Sequence, residues 1–439
     1  MKYLPLSKYK YFIKDKTNDL NAVENEYQSR LNGYTSQRTT LFPLLNYRDG
    51  TQTNKYPIFY LPLPEIQNLA DQLRRNSKAI KNISITLPQI AINQFLNSLL
   101  LSEIFYTNEI EGVKTSRVEI STVIQENNQQ IDGSDHVSKK RLGSTIKMYQ
   151  RTQSGKKVEI YELQDFRKIY DSLLNGEIDK GRLPNGTIFR DKLPNNEILS
   201  IGDGIKTVHQ PPTTEIAIQT ALTALIEYMN NDETPSIYKA LVTHFFFENT
   251  HPFLDSNGRM GRYLLSSYIA NKFDRFTGFS VATAIHNNVQ QYYKVFKDAD
   301  KADNRADLTF FIQKLLEILV SQQEKTIDIL SQSREKLNNA KQIIKQWVEE
   351  HHQLLKATAL PDKLYCEILY LFAQSEFFTN QQSLGIKDND IIKILKKSSQ
   401  RYPMTKTRLA IKELEELGAI KIVSKRPKQH IIQILIEQK

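Results

Sequence analysis

The chain reads HPFLDSNGRMGR from His251 to Arg262, and this polar stretch lies between two segments with helical periodicity. Before the stretch, mostly apolar residues recur at i, i+3, i+4 spacing at Ile237, Ala240, Leu241, His244 and Phe245. After it, the same spacing recurs at Met260, Tyr263, Leu264, Ser267 and Tyr268. This spacing predicts two amphipathic helices joined by a polar loop. We therefore expect a helix–loop–helix within a mainly α-helical fold.

The polar stretch combines residue types that suit phosphate chemistry. A helix that begins near Gly258 directs free backbone N–H groups into the loop, which favours an anion there. Arg259 and Arg262 are three residues apart, so they share a helix face and can bind a polyphosphate together. Asp255 offers the hard oxygen that Mg²⁺ prefers. His251 is the natural base for a hydroxyl nucleophile. Together these residues predict a phosphoryl-transfer site.

Each of these features has a simpler interpretation when it is taken alone. A histidine beside a proline at a helix end usually caps or packs, and an Arg-x-x-Arg pair usually lies on a solvated face. The prediction depends on the presence of all the features between His251 and Arg262.

The stretch resembles the signature of the Fic family, His-x-Phe-x-(Asp/Glu)-Gly-Asn-Gly-Arg-x-x-Arg, with Ser256 in place of the usual glycine. The resemblance implies transfer of AMP from Mg·ATP to a Ser, Thr or Tyr hydroxyl of a protein target, which can be the enzyme itself. It implies that His251 is the catalytic base, that Asp255 binds Mg²⁺ and that Phe253 packs under the loop. The residues implied to bind ATP and its phosphates are Ser256, Asn257, Gly258, Arg259, Met260, Gly261, Arg262 and Tyr293.

A second match lies upstream, where residues 107–112 read TNEIEG. They resemble the inhibitory motif of one class of the family, (Ser/Thr)-x-x-x-Glu-(Gly/Asn). The resemblance implies that Glu111 pairs with Arg262 and withholds this cation from the γ-phosphate of ATP. In some relatives the same glutamate is linked to AMP removal, so an enzyme that both adds and removes AMP is an option. The simpler interpretation is a glutamate in the turn that ends a helix at Gly112.

Weaker matches extend the resemblance over roughly residues 85–325. Segments 187–190 and 201–212 resemble the family's flap, a hairpin that aligns the target by β-augmentation, although a plain surface hairpin would have the same pattern. Tyr292 and Tyr293 resemble paired tyrosines near the adenine pocket, or are two core aromatic residues. Asp300 stands where some relatives carry an asparagine toward the base, which leaves the nucleotide preference open.

The composition limits the classes of protein and partner. Apolar residues make up 40% of the 439 positions and charged residues 25%, which excludes wholesale disorder. The net charge of +10 permits phosphate-bearing partners without requiring them. A single cysteine, Cys366, excludes internal disulfides and thiolate zinc sites. The N-terminus lacks the apolar core of a signal peptide, and the uncharged stretch 82–102 has the spacing of an amphipathic core helix. We expect a soluble, cytoplasmic protein with no membrane partner.

Breaks in the pattern predict four regions. Residues 1–85 form an N-terminal lead, irregular except for a helix at residues 65–75. Residues 86–325 form the Fic-like core, which includes the inhibitory helix near 92–112 and a glycine- and proline-rich interruption at 175–214. Residues 326–360 form a helical linker, and residues 361–439 form the C-terminal domain.

The C-terminal domain has the pattern of a winged helix-turn-helix. Helical spacing at 363–375, 389–397 and 405–417 precedes alternating segments at 419–423 and 430–436, which a basic turn joins. Nine Lys and Arg residues stand against four Glu from Arg401 onward, a net charge of +5. Lys406 and Arg408 open the third helix, where they would face a DNA groove. However, Glu413, Glu415 and Glu416 lie on the same helix and would repel DNA. Such domains also dock proteins, so DNA binding remains an alternative.

Three functions are compatible with these patterns. The first is a protein adenylyltransferase of mainly α-helical, Fic-like fold that Glu111 restrains. The second is a DNA-binding transcriptional regulator whose Fic-like core only senses nucleotide. The third is transfer of a different nucleotide or phosphate-containing group. His251 favours the enzymes, since nucleotide binding alone needs no base. A homodimer that masks Glu111 is compatible with the sequence, but no residue pattern supports it.

Overall fold

The structure is a computed structural model of the 439-residue chain. It describes residues 3–9, 11, 19–129, 140–193, 197, 199–202, 207–355, 360–379, 385–425 and 427–435. The chain divides into two compact units. The first contains residues 1–77 and 100–324, and the second contains residues 78–99 and 325–439.

The chain is mainly α-helical, as the sequence predicts. The helices up to residue 350 are α1 Leu6–Tyr9, α2 Asp19–Leu31, α3 Pro64–Ser84, α4 Gln89–Ile110, α5 Arg117–Gln129, α6 Gly143–Gln153, α7 Leu163–Leu174, α8 Glu215–Asn230, α9 Ser236–Thr250, α10 Asn257–Lys272, α11 Arg275–Gly278, α12 Val281–His286, α13 Val289–Ala299 and α14 Thr309–Glu350. Further along the chain follow α15 His352–Leu355, α16 Asp362–Phe377, α17 Asp388–Lys397 and α18 Met404–Glu416.

The predicted helix–loop–helix is present as α9 and α10 in the core of the first unit. Ile237, Leu241 and Phe245 on α9 are fully buried, and Met260 and Tyr263 on α10 are buried as well. Both helices are buried on most of their faces. Burial of this much apolar surface stabilises the pair and holds the polar loop between them in place.

Residues 1–85 contain more regular structure than the sequence analysis predicts. The predicted helix at 65–75 is present within the longer α3, and α2 is an additional helix. Strands of two residues also form: β1 Gln37–Arg38 pairs with β4 Phe59–Tyr60, and β2 Leu45–Asn46 pairs with β3 Gln52–Thr53. Strands of two residues are too short to show the alternation of apolar and polar residues by which a strand is recognised in a sequence.

The uncharged stretch 82–102 is divided by a turn. α3 ends at Ser84 and α4 begins at Gln89, directly after Pro88, which suits a helix start. Phe95 and Leu96 are buried, as the helical spacing predicts. Among the described residues, no helix has both the length and the apolar character needed to cross a bilayer.

Within segment 175–214, the regular structure of the described residues is a 3₁₀ turn at Lys180–Arg182 and a hairpin of β5 Ile201–Gly202 with β6 Thr207–His209. Residues 203–206 of the predicted flap lie outside the described residues. Residues 187–190 form no strand, because the Glu215 carboxylate accepts the backbone N–H groups of Thr187, Ile188 and Phe189 at 2.6–2.9 Å. This acidic residue at the start of α8 anchors the segment as a turn.

The second unit contains the helices and the hairpin that the sequence predicts near the C-terminus. α16, α17 and α18 are followed by β8 Ile420–Lys425 and β9 Lys428–Ile432. The short strand β7 Ile386–Lys387 completes an antiparallel sheet in the order β7-β9-β8. Arg426 in the predicted basic turn and Ile436 at the predicted strand end lie outside the described residues, as do residues 356–359 of the predicted linker.

Candidate active site

The loop between α9 and α10 begins at His251, which ends α9 in a left-handed conformation. Its φ is 48° and ψ is 62°, and its N–H donates to the Phe247 carbonyl at 2.9 Å. Left-handed backbone is uncommon for a residue other than glycine. The conformation is held from outside, because Arg190 Nε donates to the His251 carbonyl at 2.7 Å and Arg190 N donates to the Pro252 carbonyl at 3.0 Å.

The imidazole of His251 is neutral at neutral pH. Burial lowers the pKa of His251 below its usual value, and the positive charge of Arg190 lowers it further. The residue as a whole is partly exposed, while the Nδ1 atom of its ring is buried. A neutral imidazole at the mouth of a loop can accept a proton from a hydroxyl group, as the sequence analysis expects.

Asn257 and Phe253 give the loop its shape. Asn257 Oδ1 accepts the Phe253 N–H at 2.9 Å, and Asn257 Nδ2 donates to the Phe253 carbonyl at 2.8 Å. The Phe253 ring is buried and stacks on Tyr170, with centroids 3.8 Å apart. Phe253 therefore packs under the loop as expected. The Asn257 amide is used by the loop itself, which leaves only its backbone N–H for a phosphate.

Ser256 is the N-terminal cap residue of α10 and is also left-handed, with a φ of 66°. This conformation costs a residue with a Cβ atom about 1–2 kcal/mol, whereas glycine would adopt it freely. Ser256 Oγ donates to Asp255 Oδ1 at 3.0 Å and accepts a hydrogen bond from Arg259 Nη2. Its hydroxyl thus contacts two of the residues implied to bind ligand.

Asp255 is ionised and partly exposed. Burial raises its pKa, but hydrogen bonds from Arg182 and Ser256 and the charge of Arg259 more than offset this, so the pKa lies below its usual value. Arg182 Nη1 donates to Asp255 Oδ2 at 2.9 Å, and its side chain is exposed. Among the described residues, no group of three or more His, Cys, Asp or Glu could hold a metal ion. The single carboxylate fits Mg²⁺ only together with substrate phosphates.

Arg259 points into the protein and pairs with Glu177. Arg259 Nη1 lies 2.9 Å from Glu177 Oε2, and only 8% and 3% of the two side chains are exposed. Thr145 Oγ1 lies 2.6 Å from the other oxygen of Glu177. Burial raises the pKa of Glu177, although the contacts with Thr145 and Arg259 lower it in part.

Arg262 contacts both ends of the upstream motif. Its Nε donates to Thr107 Oγ1 at 2.9 Å, and its Nη2 lies 2.8 Å from Glu111 Oε1. Burial lowers the pKa of Arg262, but Glu111 raises it above its usual value. Glycine at position 258 permits this approach, since a Cβ there would lie 2.2 Å from Glu111 Oε1. The expected pairing of Glu111 with Arg262 is therefore present.

Two further acidic side chains lie near Arg262, namely the fully buried Glu103 and the partly buried Glu248. Burial raises the pKa of Glu248 to about 8 and that of Glu103 to about 7. Gly261 makes room for Glu248, since a Cβ there would lie 2.1 Å from Glu248 Oε1. These two residues and Glu177 are not among the site residues that the sequence predicts. A glutamate inside the apolar helix α9 was a signal for Glu248, but Glu177 lies in an irregular segment without such a signal.

The remaining predicted residues lie at the edge of the loop or in the core. Tyr293 is half-exposed, and its hydroxyl donates to the Ile110 carbonyl at 3.3 Å, next to Glu111. Tyr292 is a core residue whose hydroxyl lies 2.8 Å from His244 Nε2. Met260 is fully buried, so only its backbone is available to a ligand. Asp300 is buried and accepts a hydrogen bond from Asn249 Nδ2 at 2.9 Å.

The chain is similar in sequence to one family and to curated proteins. Residues 160–269 match the model of the Fic/DOC family. A probable protein adenylyltransferase of Aquifex aeolicus (strain VF5) is 23% identical over 216 residues, which cover 48% of this chain. The match spans only 59% of the length of that relative.

Several solved structures are similar to the chain. A Fic family protein from Desulfovibrio desulfuricans G20 has a TM-score of 0.46 at 16% identity, covering 84% of this chain and 96% of that protein. A Fic domain containing signalling protein from Bacteroides thetaiotaomicron VPI-5482 has a TM-score of 0.41 at 12% identity, covering 59% and 96%.

The family match includes the whole loop from His251 to Arg262. By this match, residues 160–269 of the chain are similar to the Fic/DOC family.

Proposed function

We propose that the protein is a protein adenylyltransferase that transfers AMP from Mg·ATP to a hydroxyl of a target protein. The observation that carries the proposal is the position of a neutral His251 in one loop with Arg259, Arg262 and the N-terminus of α10. The name of the Aquifex aeolicus relative supports the same activity. Transfer of another nucleotide through this loop is the competing enzymatic reading.

In the proposed reaction, His251 takes the proton from the target hydroxyl. The hydroxyl oxygen then forms a bond with the α-phosphorus of ATP, and the bond from that phosphorus to the bridging oxygen of the β-phosphate breaks. Pyrophosphate leaves with the bonding electron pair, and AMP stays on the target. Free N–H groups at the start of α10 stabilise negative charge on the phosphates.

Asp255 is the residue that would hold Mg²⁺, since its carboxylate is ionised and partly exposed. The ion, when bound, neutralises charge on the phosphates. Arg182 donates to Asp255 at 2.9 Å and would have to move for the carboxylate to face a cation. Because the Arg182 side chain is exposed, this movement costs little.

We further propose that Glu111 restrains the reaction. Its ion pair with Arg262 occupies the arginine that the γ-phosphate of ATP would need. ATP would then bind with its phosphates out of line for transfer. Glu111 is 30% exposed, so the same carboxylate can also orient a water molecule for AMP removal.

The test is autoradiography with α-labelled ATP and Mg²⁺ on the wild type, Glu111→Gly and Glu111→Gly/His251→Ala chains. We expect label on the Glu111→Gly protein alone, or much stronger there, and none on the double variant. ATP binding by the double variant should persist, because only the base is removed. Retained label on the double variant would exclude His251 as the base. Parallel reactions with other labelled nucleotides separate AMP transfer from other transfers, and silence with every nucleotide would reject the enzyme.

One observation favours a second candidate, a DNA-binding regulator. Lys406 and Arg408 on α18 are exposed, and Lys412 is exposed as well but pairs with Glu416 at 3.4 Å. Two of the glutamates expected to repel DNA are engaged within the second unit: Glu413 accepts a hydrogen bond from Tyr365, and Glu415 pairs with Lys428 at 2.7 Å. The exposed part of α18 is therefore more basic than its sequence suggests.

Gel shifts with random duplex DNA test this candidate. Binding that is lost in a Lys406→Ala/Arg408→Ala variant and weakens with salt would support it. A Lys314→Ala variant on α14, which removes a charge in the first unit, is the control. Absence of DNA binding at low salt would reject this candidate and would favour a protein as the partner of the C-terminal helices.

A further inference from the structure

A continuous series of hydrogen bonds connects the buried Glu177 to the surface carboxylate Asp255. Glu177 Oε2 accepts from Arg259 Nη1 at 2.9 Å, Arg259 Nη2 donates to Ser256 Oγ, and Ser256 Oγ donates to Asp255 Oδ1 at 3.0 Å. We call these four residues the Ser256 series. Ser256 joins Arg259 to Asp255 in this series and is also the position at which the chain departs from the usual glycine of the signature.

The inner end of the series is held firmly. The side chains of Glu177 and Arg259 are almost completely buried, and Thr145 Oγ1 lies 2.6 Å from the second oxygen of Glu177. Opposite charges that are buried and hydrogen-bonded in this way hold a defined geometry. The plane of the Arg259 guanidinium is therefore determined by Glu177 on one side and by Ser256 on the other.

The outer end of the series depends on the Ser256 hydroxyl. Ser256 keeps a left-handed backbone that a glycine would adopt at no cost, so serine is not the residue that the backbone favours. Its Oγ is the only group of the series that contacts both Arg259 and Asp255. The two hydrogen bonds of the hydroxyl therefore explain why serine stands at a position where the backbone conformation favours glycine.

We propose that Ser256 is a positioning residue that couples Arg259, at the start of α10 where the phosphates would bind, to Asp255, which would hold Mg²⁺, with Glu177 as the anchor. The inference rests on the proposed function, since it concerns how that site binds Mg·ATP. The phosphates and the metal ion of Mg·ATP are parts of one ligand. A hydroxyl that fixes the arginine relative to the carboxylate strengthens binding of the two parts together and does little for ATP alone.

The test measures ATP affinity by titration calorimetry on the full chain, with Mg²⁺ and then with EDTA. The parent carries Glu111→Gly so that Arg262 is free. Ser256→Gly relieves the backbone and removes the hydroxyl, whereas Ser256→Ala removes only the hydroxyl. We expect both to weaken binding about fivefold with Mg²⁺ and less than about twofold in EDTA, because one bridging hydrogen-bond donor is lost.

Two further variants test the anchor. Glu177→Ala should weaken ATP binding in both conditions, because Arg259 loses its partner, and Glu177→Gln should recover part of the affinity by restoring a hydrogen-bond acceptor. Ser154→Ala is the matched control, since Ser154 Oγ donates only to the Arg151 carbonyl in an exposed helix end and should change neither affinity.

Each outcome decides the proposal. Ser256→Gly with the parent's affinity in Mg²⁺ would overturn it, and would attribute any loss in Ser256→Ala to backbone strain. Equal losses with and without Mg²⁺ would also overturn it, because they indicate a purely structural role. Should Ser256→Ala fail to fold, Ser256→Gly still decides, since glycine suits the backbone. If the parent itself binds no ATP, the proposed function fails, and this inference fails with it. If only this inference fails, the parent still binds ATP and the Ser256 variants depart from the expected affinities.

Discussion

Arg259 and Arg262 lie one helical turn apart at the start of α10, and each pairs with a glutamate from elsewhere in the chain, but the two pairs differ in burial. The Glu177 side chain, which pairs with Arg259, is 3% exposed to solvent, whereas the Glu111 side chain, which pairs with Arg262, is 30% exposed. Breaking a buried pair leaves an uncompensated charge, while a partly solvated carboxylate can turn to water. The same chemistry therefore serves as a fixed support at Arg259 and as a releasable contact at Arg262.

The backbone around each glutamate agrees with this difference. Glu111 follows the last residue of α4 in a turn that ends at Gly112, whose φ is 69°. Glu177 has a raised pKa because it is buried, and Thr145 holds its second oxygen. Both arginines are buried, with 8% of the Arg259 side chain and 2% of the Arg262 side chain exposed, so the difference lies in the glutamates. Glu111 stands in a helix-terminal turn and is partly in solvent, whereas Glu177 is enclosed.

The largest effect is expected from Arg259→Ala. Glu177 would lose its partner inside the protein, and we expect the free energy of unfolding to fall by about 3 kcal/mol. Chemical denaturation measures this loss. The double variant Arg259→Ala/Glu177→Ala should recover part of it, because no unpaired carboxylate remains. If the single variant is as stable as the wild type, the pair is not a fixed support and the comparison fails.

The next effect is expected from Glu111→Gly. Release of Arg262 should raise automodification about tenfold, which corresponds to the loss of one charge-assisted contact. Stability should fall less than in Arg259→Ala, because Thr107 still accepts two hydrogen bonds from the buried Arg262. Rates of label incorporation and denaturation curves measure the two. Glu109→Gly is the control, because Glu109 lies two residues earlier and contacts His286 instead. A similar rise with Glu109→Gly would point to disruption of the helix end rather than release of Arg262.

The third effect is spread over several pH units and concerns the second acidic side chain near Arg262. Burial raises the pKa of Glu248 to about 8, above its value in the unfolded chain. The stability that the neutral form contributes is therefore present below pH ~4.5 and is lost as the pH rises toward ~8. Compared with Glu248→Gln, the wild type should lose up to about 1.4 kcal/mol of stability per pH unit in this window.

Chemical denaturation of the wild type and of the Glu248→Gln variant at pH 5, 6.5 and 8 tests this expectation. Glu227→Gln on the exposed face of α8 serves as the control and should follow the wild type. Parallel curves for wild type and Glu248→Gln would show that Glu248 is ionised throughout, and Arg262 would then have two charged partners instead of one.

The smallest effect is expected from Arg182→Ala. Removal of the exposed guanidinium from Asp255 should raise the apparent affinity for Mg²⁺ in the transfer reaction about two- to threefold, because an exposed ion pair is worth little. The Mg²⁺ dependence of labelling measures the change. Lys168→Ala, which breaks another exposed ion pair, with Glu162, should leave it unchanged. A lower affinity for Mg²⁺ would mean that Arg182 supports the site rather than covering it.

The sequence predicted the parts of the site that follow regular spacing. Helical periodicity located α9 and α10, and the spacing of Arg259 and Arg262 placed both side chains at one helix start. The resemblance of residues 107–112 to a known motif predicted that Glu111 pairs with Arg262, and the two side chains are 2.8 Å apart. Roles of individual residues in catalysis remain predictions.

Other parts of the site could not be predicted from the sequence. Glu177 and Arg182 lie in a segment without periodicity, and nothing local indicates that they meet Arg259 and Asp255. Residues 187–190 resemble part of a flap hairpin, but the carboxylate of Glu215 holds their backbone in a turn. Such contacts depend on where whole elements pack.

The sequence by itself determined the helix pair, the polar loop between them and the shared face of the two arginines, because backbone periodicity is a local property. Only the tertiary structure decided which carboxylate reaches which arginine, how deeply each pair is buried and that the Ser256 hydroxyl joins Arg259 to Asp255. Glu177 and Arg259 are 82 residues apart, and Thr107 and Arg262 are 155 apart. Contacts over such separations follow from the packing of helices, and their strength follows from the solvent that this packing excludes.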